Sequence, residues 1–206
     1  MKLFVYIFLI INVFGFSQKK VEHVITIDDS ITRLLFDLDN VFTIKLSSTK
    51  SNQVVIKAIS EGEYANHFVI TEKRDSHTLH ISGNIAFTFP NYQDKLSAHK
   101  VHAIAIEILV PEHLKTFVSS DIGNVSVTGK YTAFGTNLFS GNCYLNMVSG
   151  VFNLKTVNGD INLTTKNGVV NAVSKSGTIT QEVLPLGKSS FQLKTAKGNI
   201  NIVKAK

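Results

Sequence analysis

The chain has 206 residues, of which 44% are hydrophobic and 17% charged, with three prolines and no tryptophan. That is too apolar for a disordered chain, and long enough to bury a core without a metal or disulfide staple. Charge is uneven: residues 18–129 hold 11 basic and 13 acidic side chains, whereas residues 130–206 hold nine lysines against Asp160 and Glu182, a net of +7. No apolar run outside the N-terminus approaches the ~20 residues of a membrane-spanning helix, and the single cysteine, Cys143, precludes an internal disulfide.

Residues 1–17 combine Lys2, an apolar stretch from Leu3 to Phe14 and the small residues Gly15 and Ser17. This is the pattern of a secretory signal peptide cleaved before Gln18, and it contains no cysteine for lipid attachment. The chain then divides into a β-rich section, 18–120, and a glycine-repeat section, 121–206, which continues it.

In the first section, strand-forming residues run in short alternating stretches: Val24–Ile27, Leu34–Leu38, Val41–Leu46, Val54–Ala58, Phe68–Thr71, Leu79–Ile81 and Ile104–Val110. Gly, Asn, Asp and Ser punctuate the gaps, and no stretch carries helical periodicity. Phe89–Lys100, with Pro90-Asn91 and several polar residues, reads as a long surface loop.

The second section repeats. Gly141, Gly150, Gly159, Gly168 and Gly177 follow one another at nine residues, with Gly123 eighteen before the first and Gly198 twenty-one after the last. Apolar residues stand two and four places after a glycine: Val125 and Val127, Cys143 and Leu145, Phe152 and Leu154, Ile161 and Leu163, Val170 and Ala172, Ile200 and Ile202. They predict one buried face. Turn pairs such as Asn158-Gly159 and Asn167-Gly168 suggest glycines chosen for positive φ. Asn-Gly also opens hairpins, so an antiparallel meander competes with a solenoid. Every arm begins alike and two arms make an eighteen-residue coil, which favours the solenoid. Gln181 breaks the apolar pattern, Thr132 replaces an expected glycine, and Leu184-Pro185-Leu186-Gly187 marks an inserted loop.

The run Ile106–Pro111, the segment Gly123-Asn124-Val125-Ser126-Val127 and the Gly-Asp-Ile and Gly-Asn-Ile repeats at 159–161 and 198–200 resemble the bacterial auto-transporter adhesin families with a head-GIN domain. Val54–Ala58 through Thr78–Ile81 resembles the opening strands of those families, so the likeness covers most of the mature chain. It implies a secreted β-solenoid of a Gram-negative bacterium, acting in adhesion. The expected fold is therefore all-β: a single-stranded right-handed parallel β-helix with short coils, preceded by β-rich N-terminal coils.

Chemistry is sparse. Asp37 and Asp39 would lie on one face of a strand, about 6.6 Å apart along it, near the spacing of a glycosidase pair. The alternation of Leu34, Phe36 and Leu38 makes them equally the solvent side of an amphipathic strand. The His77/His80 and His99/His102 spacings would join on a helix but diverge on a strand. Cys143 falls in an inward slot, no nucleophile elbow, phosphate loop or calcium loop is present, and no catalytic residue, metal site or cofactor is assigned.

The outward slot three after each glycine carries Ser126, Tyr144, Asn153, Asn162, Asn171, Thr180 and Asn201. Eighteen-residue coils would stack Ser126, Tyr144, Asn162 and Thr180 in one column, and Asn153 with Asn171 in another. These amides, hydroxyls and a phenol suit sugar hydroxyls, and Lys155, Lys166 and Lys175 suit anionic substituents. Tyr144, Asn153, Asn162, Asn171, Lys155, Lys166 and Lys175 are the candidate ligand residues. The expected partners are glycans, anionic or neutral, or other envelope components, with peripheral contact to a membrane surface and no nucleic acid. The alternatives are a glycan-active enzyme, a lyase or hydrolase, and a structural scaffold for a protein partner.

Overall fold

A computed structural model describes residues 19–61, 67–85 and 103–206. The leader, the Phe89–Lys100 segment and the His99/His102 pair lie outside the described residues. Fifteen strands form one continuous mixed sheet with no α-helix among the described residues. The long strands β9 (Asn124–Ser140) and β10 (Cys143–Asn158) bend midway, which gives the sheet two faces. Their bends coincide with Gly129 at φ +100°, Met147 at φ +53° and Gly150 at φ +128°.

The first face runs β1 (Lys19–Thr26), β4 (Gln53–Glu61), β7 (Ala103–Pro111), β3 (Thr43–Thr49), the front halves of β9 and β10, then β11 (Ile161–Thr165), β15 (Ile200–Lys204) and β13 (Ile179–Gln181). The second runs β5 (Phe68–Asp75), β6 (Thr78–Ile85), β2 (Arg33–Asp37), β8 (Lys115–Ser120), the rear halves of β9 and β10, then β14 (Ser190–Lys197) and β12 (Val169–Ser176). The all-β expectation and the eighteen-residue step hold: Val125, Cys143 and Ile161 stand in register, as do Phe134 and Phe152. A parallel coil throughout does not hold. β1, β4 and β7 pair antiparallel, as do β5 and β6. Period-two alternation buries one side of a strand in either pairing, so it does not distinguish them.

The core lies between the faces. Val125, Val127, Cys143, Leu145, Phe152, Leu154, Ile161, Leu163, Ile200 and Ile202 are all buried, as the repeat predicts. Fully burying one such Phe, Leu or Ile contributes roughly 1.5–3 kcal/mol. Phe134, Phe152 and Phe191 stack down successive rungs with ring centroids 5.7 and 5.3 Å apart.

Stacking order departs from chain order at the C-terminal end. β14 and β15 insert between the β10–β11 rung and the β12–β13 rung, so Phe191 lies between Phe152 and Val170, and Ile200 between Ile161 and Ile179. The predicted columns are corrected accordingly: Asn201 separates Asn162 from Thr180, and Gln192 separates Asn153 from Asn171. Gln181 is tolerated at its slot because the β12–β13 rung is terminal and the side chain is exposed. Leu184, in the loop that follows, packs partly buried against the core.

The positive-φ reading holds at Gly141, Gly150, Gly168, Gly177 and Gly198, and crowding between rungs adds a second demand for glycine that also covers Gly159. A Cβ on Gly159 would meet the Gly141 carbonyl oxygen at 2.0 Å, although Gly159 adopts no positive φ. Beside this stack runs a side-chain ladder. Asn124 Oδ1 accepts the Asn142 N–H at 2.9 Å, Asn142 Oδ1 that of Asp160 at 2.8 Å, Asp160 Oδ1 that of Asn199 at 2.7 Å, and Asn199 Oδ1 that of Thr178 at 2.9 Å. Each rung thus fixes the next at its corner, in a register that sets which outward side chains become neighbours.

Candidate functional site

The candidate residues divide between the faces. Tyr144 and Asn162 are adjacent on the first, where the Asn142 amide donates to the Tyr144 hydroxyl at 3.3 Å. Asn153 and Lys155 on β10, and Asn171 and Lys175 on β12, belong to the second, while Lys166 sits in the turn between β11 and β12. The seven therefore do not converge on one surface. Sequence reasoning missed Lys194, which stands in register beside Lys155, and Gln192, beside Asn153. Their misplacement by the eighteen-residue rule follows from the inserted rung.

The second face also carries Phe117, which is 38% exposed. Its neighbour in register is Gly135, where a Cβ would meet the Phe117 ring at 2.8 Å, so the ring lies against glycine backbone. Beyond Gly135 comes Asn153, and the adjoining outward row holds Asn137, Lys155 and Lys194. Phe117, Gly135, Asn137, Asn153 and Lys155 line a depression of about 260 Å³. Only the aromatic identity of residue 117, in an outward slot of β8, signalled this feature in the sequence.

Charges are treated differently in the two sections. Lys45 pairs with Glu107 at 3.1 Å, Lys57 with Glu22 at 3.4 Å, Arg74 with Asp28 at 2.6 Å, and His23 lies 3.6 Å from Glu72. From Lys155 onward no lysine has a carboxylate within ion-pair distance among the described residues. The two acids there are engaged by backbone, Asp160 by the Asn199 N–H and Glu182 by the Lys204 N–H.

Asp37 and Asp39 gather with Asp121 around a second depression of about 270 Å³, lined also by Asn137 and Phe139. Asp37 Oδ1 accepts the Ser119 hydroxyl at 3.4 Å, and Asp39 Oδ1 accepts the Asp121 N–H at 3.2 Å. Burial, then the charges of Asp37 and Asp121, hold the Asp39 carboxyl above the usual range. No cationic side chain lines this depression. Cys143 is buried beside Thr136, and burial pushes its thiol up to about 12. His77 Nδ1 lies 2.9 Å from the Ser30 carbonyl, at a turn. No group of three metal-ligating side chains forms among the described residues.

No family model matches the chain, and no curated protein sequence matches it. Among solved structures it is similar to a candidate cell adhesion protein from Clostridium sporogenes, at 15% identity and a TM-score of 0.56, over 91% of this chain and 100% of the other. A candidate adhesin from Bacteroides fragilis aligns over 92% and 98% of the two chains at 12% identity, with a TM-score of 0.41. What the first comparison establishes is a shared fold.

Proposed function

We propose that this chain is an exported, non-enzymatic, adhesin-like β-solenoid whose basic, amide-bearing second face binds glycans or other anionic components of the cell envelope. The carrying observation is the unpaired charge: in the N-terminal section Lys45, Lys57 and Arg74 each pair with an acid, whereas the lysines from Lys155 onward have no acidic partner among the described residues. A surface of one sign attracts the opposite sign. Export rests on the leader pattern of residues 1–17. Right-handed coiling accords with the strong preference of parallel crossover connections for that hand. Adhesion accords with the similarity in fold to the Clostridium sporogenes protein.

The test is binding to isolated bacterial envelopes across a salt series, since exposed charges are screened beyond about 8 Å at physiological ionic strength. Binding is expected to fall steeply with salt, and to fall when Lys155, Lys166 and Lys175 are together changed to Gln. Changing Lys45 and Lys57 to Gln, both paired to glutamates, is expected to leave it unchanged. Salt-insensitive binding, or equal loss in both variants, would overturn the proposal.

A further inference from the structure

We infer that the depression beside Phe117 on the second face is a binding site for a carboxylated pyranose, a hexuronate unit of an acidic polysaccharide; this deepens the glycan-binding reading above and rests on it. A pyranose presents a C–H face, a rim of hydroxyls and, in a hexuronate, one carboxylate. The site offers a group for each. Phe117, laid against the Gly135 backbone, is an apolar plate at the surface. Asn137 and Asn153, in outward slots beside it, provide amide donors and acceptors.

The lysines decide the charge of the ligand. Lys155 and Lys194 stand in register on adjacent parallel strands, which run about 4.8 Å apart. Like charges directly opposite one another on a sheet are unfavourable, and neither has an ion-pair partner among the described residues. A carboxylate placed between them relieves that repulsion, which a neutral hexose cannot do. The depression, about 260 Å³, accommodates one sugar ring, with neighbouring units of a chain continuing over the open sheet.

The experiment is calorimetric titration of the folded chain with tetra-uronates of galacturonate, mannuronate and guluronate, with their methyl esters and with acetate. At least one tetra-uronate is expected to bind, with the matching ester weaker by about tenfold and acetate far weaker, since both ring and charge are read. Phe117→Ala and Lys155→Gln/Lys194→Gln are each expected to weaken binding about tenfold. Gly135→Ala, which pushes the Phe117 ring aside, is expected to weaken binding without lowering the melting temperature. Lys57→Gln, on the first face and paired with Glu22, is the control that should not change it. Binding by none of the tetra-uronates, equal binding of acid and ester, or full affinity in both Phe117→Ala and Gly135→Ala would each overturn the site. If envelope binding by the unmodified chain keeps its salt dependence in that event, the broader proposal stands; if it is lost as well, both fall.

Discussion

The crowding between rungs predicts a large effect from one methyl group. In Gly159→Ala the new Cβ would lie 2.0 Å from the Gly141 oxygen and 2.6 Å from its carbonyl carbon. An ordinary carbon–oxygen contact is about 3.3 Å, so the rungs must part locally by about 1.3 Å. The bonds affected are Gly141 N–H to Asn158 O at 2.9 Å, Asp160 N–H to Asn142 Oδ1 at 2.8 Å, and the Thr156 hydroxyl to Gly141 O at 3.0 Å. Two lost bonds from backbone N–H groups at about 1 kcal/mol each, and about 2 kcal/mol for a buried hydroxyl left unsatisfied, sum to about 4 kcal/mol. For a chain of this size that corresponds to a fall of about 10 °C in Tm. The assay is thermal and urea unfolding followed by far-ultraviolet circular dichroism. Gly135→Ala is the comparison, because its obstacle is the exposed Phe117 side chain rather than backbone. A Tm for Gly159→Ala within about 2 °C of the parent would refute the reasoning.

Three further outcomes are expected. Ile161→Asp places a carboxylate in a fully buried slot and should prevent soluble folding, whereas Asn162→Asp, one residue on and facing outward, should leave the melt nearly unchanged; equal effects would show the inward and outward assignments to be reversed. Cys143, whose thiol is held near 12 by burial, should resist iodoacetamide at pH 8 in the folded chain and react once urea unfolds it; labelling of native protein at the unfolded rate would contradict its placement. The Asp39 carboxyl binds its proton more firmly in the fold than in the unfolded chain, so its ionisation destabilises the fold above the raised folded pKa, and the penalty is relieved as pH falls through that pKa towards the ordinary value. Asp39→Asn should therefore raise Tm at pH 7 and make no difference near pH 3, while a lower Tm at pH 7 would discount carboxylate crowding.

The rungs themselves were legible because a nine-residue glycine period with apolar residues two and four places on leaves little freedom in what faces inward. Val125, Cys143, Phe152, Ile161 and Ile200 all occupy the core slots so predicted. The order of the rungs was not legible. The units after Gly177 and Gly198 carry similar local patterns, and periodicity does not say which lies deeper. Ile179 and Gln181 against Ile200 and Ile202 held the available hint, since the less apolar pair belongs at the end. Thr132 has a related explanation: Gly150 stacks on the backbone of Tyr131, so no glycine is demanded at 132. For the candidate site, Asn153 and Lys155 were found from the repeat, while Phe117 and Lys194 required the lateral register. Phe117 lies before the repeat begins, and Lys194 is brought to Lys155 across 39 positions of sequence.

The inserted β14–β15 rung makes the chain its own competitor. Residues 169–181 stand eighteen after 151–163, the same step that joins the earlier rungs, so they carry the correct spacing to dock directly on β10 and β11. A chain made from its N-terminus completes those residues before the segment that finally occupies the position. The final order is favoured because Phe191, Leu193, Ile200 and Ile202 fill the interior rung with more apolar volume than Val170, Ala172, Ile179 and Gln181. A chain ending before Ser190 would lack both strands of that interior rung, leaving β12 and β13 without the partners they pair with in the whole protein. In the observed order the last seventeen residues, 190–206, hold the interior position that the nine-residue spacing alone would give to their predecessors.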